Sequence, residues 1–245
     1  MIRVFKDKSN ANRVAADMFV QSASEAIAEN GRFNVALTGG TSPEPLYTML
    51  ASPAYVNQVD WQNVYIFWGD ERWVPLTDEK SNGLMAKRTL LDKVPIPKTQ
   101  IFYMWADVEE PNKFAHYYEQ LLQRNLGDNL SFDLIFLGMG DEGHTASLFP
   151  HESVLTEEHK LVDAYYLKSQ SMYRITLTAP VINKAKNIIL MLFGSNKAEA
   201  LHQVLEGEYN PDLYPAQLLK PISGNIFWLI DEAAAKDLTT KYETE

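Results

Sequence analysis

The sequence predicts an α/β fold, a three-layer α/β/α sandwich around a largely parallel, Rossmann-like sheet. Short apolar runs that suit buried strands alternate along the chain with amphipathic segments that suit helices. No low-complexity linker and no internal repeat of 20–50 residues interrupts this alternation. We therefore expect one domain spanning residues 1–245, with helices covering both faces of the sheet.

The predicted strands are apolar runs that end at a glycine or at a polar cluster, as buried strands do. FNVALT ends at Gly39, NVYIFW at Gly69, FDLIFL at Gly138 and NIILMLF at Gly194. Ligands of open α/β sheets bind beyond the carboxyl ends of the strands, so the loops after these four runs are the places to search for a site. The full set of predicted strands is 33–38, 63–68, 101–104, 132–137, 161–165, 173–178, 187–193 and 225–230.

The predicted helices lie between these strands. Residues 14–27 place their apolar side chains on one face, and Asn30-Gly31 ends that helix. Ser81-Asn82 caps a helix that continues to about Lys93. The other predicted helices are 112–124, 179–185, 195–205, 215–219 and 232–238.

Composition narrows the possible partners. Hydrophobic residues make up 46% and charged residues 22% of the chain, which is ordinary for a globular protein, but the net charge is −10. A nucleic acid is an unsuitable partner because its phosphates require a basic surface. No apolar run reaches the ~18 residues of a membrane span, and the first residues do not form a secretory signal. We expect a cytoplasmic protein with no membrane partner.

The absence of cysteine narrows the chemistry. Disulfides, a thiol nucleophile and thiolate metal sites are excluded. The five histidines show none of the spacings typical of metal sites, such as H-E-x-x-H. We expect no required metal.

The loop TGGTSP after the first predicted strand has the features of a phosphate site. Gly39 and Gly40 allow backbone amides to approach a ligand closely, while Thr41 and Ser42 add hydroxyls. Ser42 is predicted to cap the next helix, with Pro43 at its first position. The Gly-Lys-Ser/Thr ending of a P-loop is missing, so a monophosphate is expected rather than a nucleoside triphosphate. An ordinary turn between strand and helix explains the same residues equally well.

The loop GMGDEGHTASLFP after the strand 132–137 carries the strongest candidate for catalysis. His144 can change protonation near neutral pH, and Asp141 or Glu142 lies close enough in the sequence to assist it. The glycines also match the dinucleotide-binding pattern G-x-G-x-x-G. We discount that interpretation because His144 follows the last glycine directly and Pro150 soon interrupts any helix.

Charged residues follow two further strands. Asp70 and Arg72 come after NVYIFW, and Lys197 comes after NIILMLF at the start of a predicted helix. Arg72 can bind a phosphate or carboxylate with two hydrogen bonds. A lysine at a helix N-terminus opposes the helix dipole, which favours an anionic ligand beside Lys197. A surface ion pair and a solvated lysine are the alternatives.

The motifs TGGTSP, GDERWVP, GMGDEGHTASLFP and GSNK, in this order, resemble those of the 6-phosphogluconolactonase family. The resemblance extends from about Phe5 to Asp231. The family belongs to a wider group that includes glucosamine-6-phosphate deaminase, and the resemblance implies the NagB/RpiA/CoA transferase-like fold. The resemblance implies hydrolysis of 6-phospho-D-glucono-1,5-lactone in the oxidative pentose phosphate pathway, without a cofactor or metal. It implies that His144 is the general base, that Asp70 lines the sugar site, and that the phosphate is bound by Arg72, Lys197 and the loop containing Gly39, Gly40, Thr41 and Ser42.

One residue departs from the family pattern, and two other functions stay open. The family usually has Asp-Gly-His, where this chain has Glu142 before Gly143-His144, so Asp141 is an alternative partner of the histidine. A deaminase-isomerase is the nearest rival function, although the residues 145–150 lack the acid expected downstream of its histidine. A non-catalytic sugar-phosphate-binding protein is the third possibility. The expected assembly is a monomer or a weak homodimer.

Overall fold

Two β-sheets organise the protein, whose computed structural model describes residues 1–107, 110–242 and 244–245. The nine strands assigned in this part of the chain are β1 (Ile2–Phe5), β2 (Phe33–Leu37), β3 (Val64–Trp68), β4 (Asp70–Arg72), β5 (Leu134–Leu137), β6 (Val162–Leu167), β7 (Met172–Leu177), β8 (Asn187–Leu192) and β9 (Asn225–Asp231). The first sheet has six parallel strands in the order β1-β9-β8-β5-β2-β3. The second is antiparallel, in the order β4-β7-β6.

Helices pack around the parallel sheet. Those assigned in the described ranges are α1 (Lys8–Asn30), α2 (Glu44–Leu50), α3 (Asn82–Ala86), α4 (Pro111–Asn125), α5 (Ala179–Ile182), α6 (Ala198–Glu206) and α7 (Glu232–Ala235). The predicted α/β class with a mainly parallel sheet is confirmed. None of the helices in the described residues is long and apolar enough to span a bilayer.

The direction of the chain through the parallel sheet creates a crevice. From β2 the chain proceeds to β3 on one side and later returns to β5 on the other side of β2. The loops that follow β2 and β5 therefore leave the same edge of the sheet side by side, and this edge is where open α/β sheets bind ligands. Strand β8 pairs with β5, so its following loop lies beside the same crevice.

The antiparallel sheet was not predicted. The sequence predicts strands at residues 161–165 and 173–178, but their apolar pattern does not indicate which strands they pair with. In the structure β6 and β7 form a hairpin, and β7 also pairs with β4, directly after β3. Gly69 joins the two sheets, because its amide donates to Leu37 and its carbonyl accepts from Leu177.

Several predicted boundaries were wrong. Helix α1 begins six residues before the predicted position 14, because Asp7 accepts from the amide of Asn10 at 2.9 Å and caps it. Strand β1 was missed, and the predicted strand 101–104 is reduced to a single bridge from Ile101 to Ile66. The predicted helix 81–93 is α3 followed by a wider π-helical turn at Lys87–Leu91.

The C-terminal helix is shorter than predicted, since α7 ends at Ala235 rather than at residue 238. Even so, the segment after it is packed, because Leu238 is buried.

The core between α1 and the parallel sheet contains stacked aromatic rings. The ring of Phe19 lies 5.2 Å from Phe33, edge to face, and 6.3 Å from Phe136, nearly parallel. Phe33 and Phe136 belong to the neighbouring strands β2 and β5. The aromatic packing holds together the two strands whose following loops form the crevice.

Candidate active site

The crevice beyond the ends of β2, β5 and β8 is a cleft of about 310 Å³. Its wall on the far side is formed by the antiparallel sheet, which contributes Asp70, Arg72 and Arg174. Every residue predicted for the site lines this cleft except Glu142; those that do are Gly39, Gly40, Thr41, Ser42, Asp70, Arg72, His144 and Lys197. Motifs that are more than 150 residues apart in the sequence therefore share one cavity.

The loop after β2 presents free backbone donors. Gly40 has φ +82, a conformation that glycine adopts without strain. Within the described residues, the amides of Gly40, Thr41 and Ser42 donate to no other protein group. Tyr47 fixes the start of the loop, since its hydroxyl accepts from the amide of Thr38 at 2.9 Å and donates to the carbonyl of Thr38 at 2.8 Å. The arrangement suits an anion.

Two details of this loop differ from the prediction. Ser42 does not cap the helix, because α2 begins at Glu44 with Pro43 in the capping position and no side-chain cap. Gly39 is required by a close neighbour, since a Cβ atom there would lie 1.8 Å from Oδ1 of Asn82. The sequence shows that a glycine is present but not which side chain occupies the space it leaves.

His144 is held by its own loop and by an aromatic ring. Its carbonyl accepts from the amide of Gly140 at 2.8 Å, and its imidazole stacks on Phe149 with ring centroids 3.9 Å apart. A Cβ atom on Gly140 would lie 2.1 Å from Nδ1, so the glycine makes room for the ring. Because Nδ1 faces Gly140 and Glu142, the other ring nitrogen, Nε2, is left for the cleft.

Glu142, rather than Asp141, lies beside the histidine. Its Oε1 is 3.0 Å from Nδ1 of His144, although it lies away from the direction in which a hydrogen on Nδ1 would point. The contact with His144 lowers the pKa of Glu142. Asp141 instead pairs with Lys197, whose Nζ is 2.5 Å from Oδ1, and this contact lowers the pKa of Asp141. Because glutamate is one methylene longer than the aspartate usual in the family, the carboxylate of Glu142 reaches the imidazole although Glu142 does not line the cleft.

Asp70 is buried and holds the histidine loop against the antiparallel sheet. Its Oδ2 accepts from the hydroxyl of Ser147 at 2.6 Å and lies 3.6 Å from Nη1 of Arg174. The amide of Ser147 donates to the Thr176 hydroxyl at 3.1 Å. Asp70 therefore has a structural task as well as a place in the cleft wall.

Glu71 fixes the backbone around Arg72 from beneath. Its carboxylate accepts from the amides of Arg72 at 2.7 Å and of Asn82 and Gly83 at 2.8 Å. Arg72 itself donates from Nη1 to the carbonyl of Lys80 at 2.6 Å. The sequence left open a surface ion pair between Arg72 and the acids beside it. In the structure, Glu71 instead accepts hydrogen bonds from backbone amides.

Sequence reasoning missed Arg174, Gln170 and Asn82, which also line the cleft. Arg174 was detectable in principle, because it is the one cation in the predicted strand 173–178, whose other residues are apolar or hydroxylic. Gln170 and Asn82 carry no such signal, since both lie in polar segments. Over the described residues, no group of three or more His, Asp or Glu side chains is arranged to hold a metal ion.

Glu71 gives the stability a pH dependence that can be tested. Burial raises its pKa from 4.5 to about 7, although three backbone hydrogen bonds oppose the shift. The native state thus binds this proton more tightly than the unfolded state, so the contribution is complete below 4.5 and is lost as the pH rises through about 7. Urea unfolding should show that wild type loses free energy of unfolding relative to Glu71→Gln between about pH 5 and about pH 8.

The exposed Glu25→Gln exchange on α1 is the matched control, and its stability should run parallel to wild type across the same range. Parallel curves for wild type and Glu71→Gln would show that Glu71 does not titrate in this range.

The chain is similar in sequence and in structure to known 6-phosphogluconolactonases. A 6-phosphogluconolactonase of Synechocystis is 39% identical over 218 residues, which cover 87% of this chain and 88% of the relative. One from Nostoc is 36% identical over 242 residues, covering 97% and 98%. The structure of 6-phosphogluconolactonase from Trypanosoma brucei superimposes with a TM-score of 0.86 at 24% identity, covering 98% of each chain, which shows a shared fold.

The family model described as glucosamine-6-phosphate isomerases/6-phosphogluconolactonase matches residues 6–228. This range contains both sheets apart from β1 and the end of β9, and it contains every residue of the cleft. The chain belongs to the glucosamine-6-phosphate isomerase/6-phosphogluconolactonase family.

Proposed function

We propose that this protein is a 6-phosphogluconolactonase, which hydrolyses 6-phospho-D-glucono-1,5-lactone to 6-phosphogluconate in the oxidative pentose phosphate pathway. The observation that carries the proposal is the cleft, where an imidazole, a free-amide loop and the cations Arg72 and Lys197 meet. A phosphorylated cyclic ester requires a base at one end and an anion site at the other. The relatives from Synechocystis and Nostoc bear the same name.

The mechanism begins with proton transfer to His144. Its Nε2 takes a proton from water as the water oxygen attacks the lactone carbonyl carbon. The carbonyl oxygen becomes an oxyanion, which donors in the cleft stabilise. When the bond between this carbon and the ring oxygen breaks, the imidazolium returns the proton to the ring oxygen. The new carboxylic acid then loses a proton to solvent.

Glu142 is proposed to support the imidazolium that forms in the first step. Its carboxylate lies 3.0 Å from Nδ1, so it stabilises the positive charge of the imidazolium. Asp70 is proposed to line the sugar site while it holds Ser147.

The phosphate is proposed to bind to Arg72, Lys197 and the amides of the loop from Gly39 to Ser42. Lys197 directly precedes α6, and its ion pair with Asp141 keeps the ammonium beside the cleft. Binding energy from this remote group holds the lactone carbon near His144.

The deaminase-isomerase is the less suitable function. Its expected acid after the histidine is absent from residues 145–150. In the structure Thr145 and Ser147 are fully buried, and their hydroxyls donate to the Gly138 carbonyl and to Asp70. These two positions serve the loop's own structure. Release of ammonia from glucosamine 6-phosphate would support the rival.

We further propose that residues 1–245 act as one domain, a monomer or weak homodimer in the cytoplasm. One cluster of buried residues extends from Val4 to Leu238, which supports the single domain. The net charge of −10 favours mutual repulsion of copies. The location follows from the proposed pathway. Light scattering across a concentration series tests the assembly, and a stable large oligomer would contradict it.

Replacement of the base should abolish most of the turnover. His144→Asn is expected to lower kcat by about 100- to 10,000-fold, because the amide cannot take the proton of water. Activity is measured above spontaneous lactone hydrolysis, with folding checked by circular dichroism. His159→Asn, at an exposed position outside the cleft, is the control and should match wild type. An undiminished kcat in folded His144→Asn would reject the base assignment.

The two neighbouring acids should have separable effects. Glu142→Gln is expected to lower kcat by about 10- to 100-fold, because the imidazolium that forms loses its charged neighbour. Asp141→Asn should leave kcat within about twofold of wild type and change KM instead, since it frees Lys197. The reverse pattern would assign the supporting role to Asp141.

Loss of a phosphate contact should appear in substrate binding. Arg72→Ala is expected to raise KM about 10-fold or more with a smaller change in kcat, because a charge-assisted bidentate contact is removed. Inorganic phosphate should inhibit the variant more weakly than wild type by a similar factor. A decrease confined to kcat, with unchanged inhibition by phosphate, would argue against this role.

A further inference from the structure

Arg174 is a buried cation that the proposed mechanism does not use. It lies on β7 directly opposite Arg72 of β4, and both side chains line the cleft. Only 4% of Arg174 is exposed, and burial lowers its pKa. A guanidinium is costly to bury unless its donors and its charge are satisfied.

The protein satisfies this guanidinium only in part. Nη2 donates to Gln170, while Nη1 is 3.5 Å from the Ser147 hydroxyl and 3.6 Å from Oδ2 of Asp70. Asp70 already accepts the shorter bond from Ser147, at 2.6 Å. Within the described chain, Nε of Arg174 has no hydrogen-bond partner although it is buried. A guanidinium that lines a cleft with its donors only partly satisfied points to an acceptor on a ligand.

The position of Arg174 associates it with the histidine rather than with the phosphate loop. Its guanidinium carbon lies 5.4 Å from the centroid of the Phe149 ring, and the same ring stacks on His144 at 3.9 Å. Arg72, its cross-strand neighbour on the same face of the sheet, donates from Nη1 to the carbonyl of Lys80, whereas Arg174 donates to Gln170. The two arginines therefore have different surroundings despite their register.

We propose that Arg174 is a further substrate-binding residue, whose guanidinium donates to an oxygen at the lactone end of the substrate. This role rests on the proposed lactonase function. The acceptor is the carbonyl oxygen, which becomes negative when water attacks, so the contact strengthens in the transition state. Gln170 holds the guanidinium plane from the β6–β7 hairpin. Asp70, whose Oδ2 lies 3.6 Å from Nη1, partly balances its charge.

The test compares Arg174→Met with Arg72→Ala in the full-length protein. Arg174→Met is expected to lower kcat by about 100-fold, the usual cost of losing an oxyanion donor, while inhibition by inorganic phosphate stays within about twofold of wild type. Arg72→Ala should weaken inhibition by phosphate instead. Added guanidinium ion should restore part of the activity of Arg174→Met, which a purely structural defect would not allow.

Arg32→Met is the matched control. Arg32 also has a buried Nε without a partner among the described residues, and its guanidinium lies 3.7 Å from the Tyr65 ring, but it is outside the cleft. Its replacement should leave kcat unchanged. If Arg174→Met does not fold, Arg174→Lys retains the charge but lacks the planar fork of the guanidinium, and the same loss of kcat is expected.

The outcomes separate the two proposals. Weaker inhibition by phosphate in the Arg174 variants would assign Arg174 to the phosphate, and wild-type kcat in a folded variant would assign it no role; either overturns the inference. A wild-type protein that does not accelerate lactone hydrolysis would overturn the proposed function itself, before any variant is compared.

Discussion

The adjacency of β2, β5 and β8 in one parallel sheet is the constraint on which the cleft depends. Parallel strands end at the same edge, so the loops that follow them must lie side by side. The chain leaves β2 in one direction and later enters β5 on its other side, which opens a crevice between the two loops. The buried aromatic rings beneath, with Phe19 against Phe33 and Phe136, keep these strands together.

The small antiparallel sheet forms one wall of that crevice and places charged side chains along it. Strand β4 follows β3 after a single residue, Gly69, so the wall is attached to the parallel sheet at a fixed point. Asp70, Arg72 and Arg174 all face the cleft from this sheet. Ser147, held by Asp70, attaches the histidine loop to the same wall. The base and the cations are thus positioned by one connected set of contacts.

A protein with a net charge of −10 can offer an anion site only through local arrangement. Three cations line the cleft, and each has a defined neighbour: Lys197 pairs with Asp141, Arg174 lies near Asp70, and Arg72 donates to a carbonyl. Backbone amides of the loop after β2 add positive potential without adding charge. Asp141 and Asp70 hold Lys197 and Arg174 in place, and the amides supply donors for a phosphate.

The sequence by itself determined the α/β class, the strands that end at the site, and eight of the residues that line it. These follow from local rules: apolar runs ending at glycine, hydroxyls and amides after a strand, a histidine in a glycine-rich loop. Tertiary structure alone decided that β6 and β7 pair with β4, that Glu142 and not Asp141 contacts His144, and that Arg174 completes the cleft. The physical reason is that strand pairing and side-chain contacts join residues that are distant in the chain. A local pattern of polar and apolar residues shows which face of a strand is buried, but it does not specify which distant strand or side chain lies against it.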